Sequence, residues 1–401
     1  MNDTKLNQSR SRPERAGATD APRPRWTVFS GMRPTGRLHL GNYFGALRNW
    51  IDLQEKYVCY FCVVDWHMLT TGYADTSSLK DNVHQMVLDW LAAGLDPKKC
   101  VIFKQSDVIE HAELALLLSM TTPLSWLENN PTWKEQLQEL SRTKDTILQE
   151  KLGQVQTNAI GTALNRQPPR TPVFLSQGQR IEESPKEHLR TSGFLGYPIL
   201  QAADILLYNG TKVPVGQDQL PHVELSREIA RRFNAFFPGT FAEPEALLTS
   251  TPKVPGTDGR KMSKSYGNTI QLLESEDSLK EKTRSLYTDP TKIKATDPGH
   301  PEPCAENPPG CSAFALHKLY ASEDFVKQRK SDCLAGKIGC VACKKDLLLE
   351  MSAPFSQFRE RRNQLSKNPD AVSSILESGA KKAKDVASET MTRVRRAMNL
   401  V

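Results

Sequence analysis

Two short segments of the chain carry side chains suited to handling a triphosphate. The first, residues 39–42 (HLGN), presents His39 and Asn42 at the start of a predicted helix. Free backbone N–H groups and the helix dipole attract phosphate at such a position, which suits the triphosphate of ATP. Alone, the tetrapeptide is weak evidence, because it also arises by chance and a lone histidine is more often structural.

The second segment, residues 259–268 (GRKMSKSYGN), is a glycine-flanked loop rich in cations and hydroxyl groups. Lys261 and Lys264 offer mobile positive charge, and Ser263 and Ser265 offer hydroxyl donors. This combination suits a departing pyrophosphate. The alternative interpretation is an exposed basic loop without a ligand.

Five of the eight cysteines lie between Cys304 and Cys343. In a reducing compartment such a cluster indicates metal binding rather than disulfides. Cys340 and Cys343 form a CxxC pair, six residues separate this pair from Cys333, and 21 residues separate Cys333 from Cys311. Four thiolates can bind either Zn²⁺ or an iron–sulfur cluster. The spacing alone supports zinc at least as well as iron.

The elements that position these segments alternate between strand and helix. An amphipathic helix beginning near Thr76 and ending near Gly94 separates two apolar runs, and residues after about 272 are mostly helical. The pattern predicts an α/β fold, a Rossmann-like doubly wound parallel sheet with a C-terminal α-helical domain, which binds ligands at the carboxyl ends of its strands. Strands are predicted at 26–32, 58–69 and 100–104, and the sheet pattern resumes at 193–208 and 213–216.

The 401-residue length favours two domains with additional ends. Residues 1–25 are polar, with six Lys/Arg and three Asp/Glu, and predict a disordered basic tail, whereas an organellar transit peptide is disfavoured by the acidic residues. Residues 26–270 form the predicted Rossmann-like domain, in which residues 141–190 resemble a surface insertion. Residues 271–401 form the predicted helical domain.

Charge and hydropathy limit the class of partner. A net charge of +7 and a pI near 8.9 permit a polyanionic partner without requiring one. No apolar run is long enough for a membrane helix, and the N-terminus lacks the apolar core of a secretory signal. We therefore expect a cytoplasmic protein without a membrane partner.

Together the two phosphate-handling segments resemble the signatures of class I aminoacyl-tRNA synthetases, a His-Ile-Gly-His variant and an intact Lys-Met-Ser-Lys-Ser at 261–265. Four further blocks sharpen the resemblance to the tryptophanyl-tRNA synthetase family, which extends over residues 26–400. Two departures are Asn42 in place of the second histidine, which is common in this family, and the long 141–190 segment. The four blocks are SGMRPTGRLHLGNYFGAL (30–47), VVDWHMLTT (63–71), GYPILQAADILLYN (196–209) and VPVGQDQLPHVELSREIARRFN (213–234).

The resemblance implies that the chain activates L-tryptophan with ATP to tryptophanyl-adenylate and transfers it to the 2′-OH of the terminal adenosine of tRNA(Trp). Mg²⁺ and positioned cations would stabilise the in-line transition state, without a covalent enzyme intermediate. A homodimer is implied as well. Residues 26–270 would perform the chemistry, and residues 271–401 would bind the tRNA anticodon.

The resemblance also assigns site residues. His39, Asn42, Lys261 and Lys264 would be catalytic, and Asp218 would bind the ribose. Asp204 would accept a hydrogen bond from the indole N–H, because a carboxylate within an apolar run is costly to bury without a donor. The ATP-binding set is Gly31, Arg33, Pro34, Thr35, Gly41, Asn42, Gly216, Gln217, Asp218, Lys261, Met262, Ser263, Lys264 and Ser265, and the tryptophan-binding set is Tyr197, Gln201, Asp204, Val213 and Val215.

Two assignments stay open. From the residues alone, Asp204 is better explained as a helix cap or as the partner of a core arginine, and His67 could contact substrate or belong to the core. For the cysteines, a subset of the family carries a [4Fe-4S] cluster on a similar pattern. This resemblance implies that Cys311, Cys333, Cys340 and Cys343 bind such a cluster, with Zn²⁺ as the alternative metal and Cys304 as an alternative to Cys311.

Three rival functions remain. The sister tyrosyl-tRNA synthetases also use a Tyr, Gln and Asp trio, so Gln201 weakens a purely local argument, although the long first block favours tryptophan. A catalytically silent relative that binds tRNA or senses metal is disfavoured by the intact loop at 261–265 and by His39. A nucleotidyltransferase of related fold would leave the basic helical tail without a purpose.

Overall fold

The computed structural model describes residues 26–130, 133–134, 171–174, 180–183, 191–248 and 253–401. The predicted tail at 1–25 and most of the predicted insertion at 141–190 lie outside these ranges. Within the insertion, strands β4 (Thr171–Phe174) and β5 (Arg180–Glu183) pair antiparallel as a two-stranded sheet.

A parallel five-stranded sheet forms the centre of the N-terminal part. Its strand order is β3-β2-β1-β6-β7, so the chain crosses over after β3 to the other side of β1, as a doubly wound sheet does. Strand β2 lies inside the sheet, between β3 and β1, and is buried along five of its six residues, which explains its continuous apolar run. The strands are β1 (Thr27–Met32), β2 (Val58–Val63), β3 (Val101–Lys104), β6 (Lys212–Val215) and β7 (Glu245–Leu248).

Helices cover both faces of this sheet. The first helical segment comprises α1 (Leu40–Asn42), a π-helical turn (Tyr43–Leu47) and α2 (Arg48–Leu53). The predicted amphipathic helix is confirmed as α4, and it ends at Gly94, whose φ of 121° favours glycine. The remaining helices of this part are α3 (Asp65–Gly72), α4 (Leu79–Ala93), α5 (Glu110–Ser119), α6 (Leu124–Glu128), α7 (Ser192–Leu207) and α8 (Leu220–Phe236).

Two sequence-based assignments of strand are corrected. The predicted strand at 58–69 stops at Val63, and residues from Asp65 begin α3. Residues 193–208, where the sheet pattern was expected to resume, form helix α7 instead. Thr191 caps this helix by accepting a hydrogen bond from the Phe194 N–H, and the helix is apolar on most sides because it packs between α5, α8 and the sheet.

The C-terminal part is helical, as predicted, and its last helix returns to the sheet. Helix α13 lies directly on β3, because a Cβ at Gly379 would lie 1.8 Å from the Ile102 carbonyl oxygen. Ala383, Ala387 and Met391 of α13 are buried in the same core cluster as α5 and α7. The C-terminal helices are α9 (Glu276–Ser285), α10 (Ser312–Tyr320), α11 (Glu323–Leu334), α12 (Cys340–Leu365) and α13 (Asp370–Ala397).

Among the described residues, no helix has both the length and the apolar character needed to cross a membrane.

Candidate active site

His39 stands at the N-terminus of α1 in a fixed orientation. Its ring nitrogen Nδ1 accepts a hydrogen bond from the Gly41 backbone N–H (3.1 Å), and the backbone N–H of His39 donates to the Asn42 carboxamide oxygen (3.1 Å). Burial and the neighbouring Lys264 lower the pKa of His39 to about 4, so the ring is neutral at pH 7. Because Nδ1 accepts, the ring proton is on Nε2, and His39 is a neutral hydrogen-bond donor.

The loop at 261–265 lies against the turn after β1. The Lys264 ammonium donates to the Thr35 carbonyl oxygen (2.8 Å), and a Cβ on Gly36, whose φ is 96°, would lie 3.6 Å from the same ammonium. Burial of this group lowers the pKa of Lys264, although the residue as a whole is exposed. Lys261 is exposed, and the Ser263 and Ser265 hydroxyls lie 2.8 Å apart.

A buried asparagine holds this loop in shape. Asn268 accepts from the Ser263 N–H (2.8 Å) and donates to the Lys261 carbonyl (3.2 Å) and to Asp258 (2.7 Å). It is 2 % exposed, and Gly256 beside it has no room for a Cβ, which would lie 2.2 Å from the Asn268 amide nitrogen. Asn268 is the last residue of the 259–268 motif, but the sequence alone assigns it no function.

The two phosphate-handling segments meet in space although about 220 residues separate them. The Leu40 N–H donates to the Ile270 carbonyl (2.9 Å), and the Leu272 N–H donates to the Leu38 carbonyl (2.9 Å). Met262 is buried against the glycine turn at Gly41. The chain after the lysine loop is therefore paired with the chain before α1, which places both loops at the carboxyl edge of the sheet.

A cavity of about 440 Å³ opens beside β1, β6 and α7. This volume lies within the range of small-molecule sites. All five residues predicted to bind tryptophan line it, together with three of the predicted ATP-binding residues: Tyr197, Gln201, Asp204, Val213, Val215, Gly31, Arg33 and Gly216. Gln217 is exposed, and the side chain of Asp218 lies outside the described part of the chain.

Asp204 is the buried anion of this cavity and is 2 % exposed. Its Oδ1 accepts from Gln105 Nε2 (2.7 Å) and from His111 Nδ1 (2.6 Å), and its Oδ2 accepts from His67 Nε2 (2.9 Å). Burial alone would raise the pKa of Asp204, but His111 and His67 outweigh it and hold this pKa below its usual value. The carboxylate is therefore ionised.

The three donors leave part of Asp204 available to a ligand. A carboxylate offers about four lone pairs, and the described donors occupy both of those on Oδ1 and one on Oδ2. Asp204 also lines the cavity. The described partners of Asp204 are two histidines and an amide rather than the core arginine considered as an alternative.

His111 and Gln105 were missed by the sequence analysis. His111 is fully buried at the start of α5, and its Nε2 lies 2.7 Å from the Tyr208 hydroxyl, so it links Asp204 to a cluster of aromatic rings. His67, left open from the sequence, lines the cavity and contacts Asp204 directly. The signal available for His111 was a histidine in the first turn of a helix whose residues from Leu114 to Leu118 are all apolar.

Asp89 is a second buried carboxylate, but it has a structural environment. It is 1 % exposed, pairs with Arg362 Nε (2.6 Å) and accepts from the Leu38 N–H (3.2 Å). Burial raises the pKa of Asp89, and Arg362 opposes that shift without reversing it. This pair ties α12 to α4 and to the chain before His39.

Four cysteines meet in the C-terminal part, at the ends of three helices. Cys311, Cys333, Cys340 and Cys343 line one small cavity, whereas Cys304 does not. Lys292 and Arg329 line the same cavity, and Cys343 Sγ lies 3.5 Å from His317 Nε2. The described residues include one group of three potential ligands whose donor atoms all lie within 4.8 Å of one another, and it does not contain these four sulfurs.

The fold and the cavity define a class of protein. A doubly wound parallel sheet that carries the HLGN turn and the intact lysine loop at its carboxyl edge is the Rossmann-like fold of class I aminoacyl-tRNA synthetases. The family model for class I tRNA synthetases (W and Y) matches residues 21–152 and 174–356.

Similar proteins narrow the class. The chain is 45 % identical to the tryptophan–tRNA ligase of Aquifex aeolicus over 400 residues, covering 93 % of this chain and 99 % of the relative. It is 44 % identical to that of Thermotoga maritima over 376 residues, with the same coverage. The solved tryptophanyl-tRNA synthetase of Campylobacter jejuni, complexed with ADP and tryptophan, is 32 % identical, with a TM-score of 0.69 over 93 % of this chain and 99 % of that one. This chain belongs to the tryptophanyl-tRNA synthetase family.

Proposed function

We propose that the chain joins L-tryptophan to ATP in this cavity, forming tryptophanyl-adenylate, and then transfers tryptophan to the 2′-OH of the terminal adenosine of tRNA(Trp). The observation that carries the proposal is Asp204, an ionised carboxylate in the wall of a cavity that three of the predicted ATP-binding residues also line. The full-length identity to tryptophan–tRNA ligases favours tryptophan over tyrosine.

The two phosphate-handling segments act by charge and position. His39 donates from Nε2 to a phosphate oxygen without adding a charge. The three backbone N–H groups of α1 already donate to the Ile270 carbonyl, to His39 Nδ1 and to the His39 carbonyl, so the phosphate contact depends on the imidazole rather than on a free helix N-terminus. Lys264 leaves the Thr35 carbonyl and moves to the pyrophosphate as it departs, with Lys261 beside it. Mg²⁺ bound to the phosphates supplies further charge neutralisation.

The tryptophan end selects by hydrogen bonding. The indole N–H donates to Asp204, while His67 and His111 keep that carboxylate ionised and fix its orientation. Val213 supplies an apolar wall for the ring. A site with a buried acceptor lone pair open to the ligand disfavours side chains without a matching donor, because that lone pair then stays desolvated and without its hydrogen bond.

Charging assays test the proposed reaction. The chain should charge a tRNA(Trp) transcript, and it should charge one ending in 3′-deoxyadenosine but not one ending in 2′-deoxyadenosine. Charging of tRNA(Tyr) with tyrosine, or charging that requires the 3′-OH, would contradict the proposal.

For the cysteine cavity we propose a [4Fe-4S] cluster bound by Cys311, Cys333, Cys340 and Cys343, with a structural role. Tetrahedral Zn²⁺ with Zn–S bonds of about 2.3 Å needs its four sulfurs only about 3.8 Å apart. These sulfurs are more widely spread than a group joined within 4.8 Å, which favours a cluster, whose irons hold the thiolates further apart. Lys292 and Arg329 balance the negative charge of thiolates.

Metal analysis tests this assignment. Anaerobically purified protein should be brown and contain about four irons per chain. Cys340→Ser should lose the iron, whereas the matched variant Cys304→Ser should keep it. Colourless protein with one zinc bound by these cysteines would overturn the iron assignment.

We also propose that residues 271–401 read the tRNA anticodon and that residues 26–270 carry the chemistry, in a cytoplasmic homodimer.

Five exposed apolar side chains support a surface for a second copy of the chain. The Arg232 guanidinium lies over the rings of Trp126 and Phe236 and so connects α6 and α8 at this surface. Leu116→Glu should shift sedimentation from dimer to monomer. The five are Ile109, Leu116, Met120, Leu124 and Phe236.

A further inference from the structure

The loop that precedes the four-cysteine cavity contains a separate set of possible ligands. Among the residues that the structure describes, His300, Cys304 and Glu306 are the one group of three whose donor atoms all lie within 4.8 Å of one another. None of the three lines the four-cysteine cavity. His300 and Cys304 are half-buried and Glu306 is exposed, so the group opens to solvent.

A fully buried asparagine closes this loop. The side-chain amide of Asn307 donates to the His300 carbonyl oxygen (2.9 Å), and the backbone carbonyl of Asn307 accepts from the Cys304 backbone N–H (3.1 Å). Its side-chain oxygen accepts from the Tyr287 hydroxyl (3.1 Å). These bonds join both ends of the loop to one buried residue, so the three ligands are held together without help from an ion.

A buried carboxylate orients the imidazole. Asp289, which is 5 % exposed, accepts a hydrogen bond from His300 Nδ1 (2.8 Å) and is itself held by the Thr291 N–H (2.8 Å). With the proton on Nδ1, the lone pair of His300 is on Nε2. A carboxylate behind a histidine is the arrangement that orients metal-bound imidazoles and raises their basicity.

The two remaining ligands are neighbours: Cys304 Sγ lies within 4.8 Å of a Glu306 carboxylate oxygen, and the pKa of Glu306 is lowered by hydrogen bonding, to which the Cys304 side chain contributes. The neighbouring Glu302 belongs to a different arrangement: it pairs with Lys318 (2.7 Å) and with Lys330. The loop therefore separates one carboxylate that is neutralised by lysines from one that faces a thiol and an imidazole.

We propose that His300 Nε2, the Cys304 thiolate and the Glu306 carboxylate bind one divalent transition-metal ion of the zinc type, at a site distinct from the four-cysteine cavity. One nitrogen, one sulfur and one oxygen suit Zn²⁺ or Co²⁺ and exclude Mg²⁺ and Ca²⁺, which take oxygen ligands. Solvent access leaves the fourth position to water. Binding releases the thiol proton to solvent and involves no redox step.

The test is Co²⁺ titration of the full-length protein purified with its four-cysteine site loaded. Wild type minus Cys304→Ser should give a difference spectrum with thiolate-to-cobalt charge transfer and tetrahedral d–d bands, saturating at one equivalent per chain. His300→Ala should abolish these bands. Asp289→Asn should keep them and weaken the Co²⁺ affinity by roughly 10- to 100-fold, as expected for a residue that orients a ligand.

The matched control is Glu302→Gln, which changes a carboxylate on the same loop that contacts lysines instead. It should bind Co²⁺ like the wild type, and equal thermal unfolding midpoints would show that the variants are folded. Equal cobalt binding by wild type and Cys304→Ser would overturn the proposal. Loss of the four-cysteine metal in Cys304→Ser would also overturn it, because Cys304 would then belong to that site.

Discussion

Two parts of the candidate active site, the tryptophan cavity and the lysine loop at 261–265, are built in opposite ways. At the tryptophan end, Asp204 is buried and held by three described donors, so the acceptor is fixed before a ligand arrives. At the lysine loop, Lys264 is exposed, and its ammonium donates to the carbonyl oxygen (2.8 Å) and the hydroxyl (3.4 Å) of one residue, Thr35. One part is preorganised and the other can move.

This difference matches two tasks. Recognition of an amino acid in the ground state benefits from a rigid acceptor, because no reorganisation is needed on binding. Stabilisation of departing pyrophosphate requires contacts that form mainly in the transition state. Changes at the tryptophan end should therefore act on binding, and changes at the lysine loop should act on rate.

The largest expected effect is at the mobile end. Lys264→Ala should lower the rate of adenylate formation by roughly 10²- to 10³-fold, the loss typical for a group that stabilises developing charge. Tryptophan binding should stay within about twofold, because Lys264 does not line the tryptophan cavity. Single-turnover kinetics with equilibrium tryptophan binding separates the two, and equal losses in both would mean that the loop only helps the site to fold.

At the rigid end, Asp204→Asn should weaken tryptophan binding by about 1.5–3 kcal/mol, the contribution of a hydrogen bond to a charged group. Asp89→Asn is the matched control, since it removes another buried carboxylate, one that pairs with Arg362. It should lower the free energy of unfolding and leave tryptophan binding unchanged. Calorimetric titration with tryptophan decides, and equal weakening in both variants would refute the indole contact.

His111→Asn should have a smaller effect, of about 1 kcal/mol in tryptophan binding. His111 is a positioning residue that acts through Asp204, so its loss should also raise the pKa of that carboxyl. Tryptophan binding should then begin to fall at a higher pH than in the wild type as the solution is acidified. An unshifted pH profile would assign His111 a packing role only.

The smallest effect concerns His39. Its pKa in the folded protein, about 4, lies below the ordinary value of 6.5. The unfolded chain therefore takes up this proton more readily, so the contribution of His39 to the free energy of unfolding is complete above pH 6.5 and is lost as the pH falls towards 4. ATP use should consequently show no midpoint from His39 between about pH 5.5 and 8. An NMR titration of the ring in which His39 titrates near its ordinary value would contradict this.

The sequence predicted the contiguous motifs better than it predicted the residues that contact each functional side chain. Residues 39–42 and 261–265 were identified because each is contiguous and carries its own pattern. Helix α7 was mistaken for part of the sheet because a short apolar run is buried on most sides in either structure, and periodicity then cannot separate the two.

The partners of Asp204 could not be predicted because they are distant in the chain. Gln105 and His111 lie 99 and 93 residues before it. Gln105 is in the turn after β3 and His111 is on α5, which packs on α7, so the contacts form only in the folded chain. The separation of Cys304 from Cys311 could not be predicted either. Only six residues lie between them, but the loop closes around Asn307 and keeps Cys304 away from the cavity that Cys311 lines. Such groupings depend on tertiary structure.

ATP–pyrophosphate exchange with each of the twenty amino acids, measured on the wild-type chain, tests the central claim most directly. The claim is that an ionised Asp204 in this cavity selects an indole N–H. Exchange should be supported by tryptophan alone. Robust exchange with tyrosine, or with an amino acid whose side chain has no hydrogen-bond donor, would contradict it.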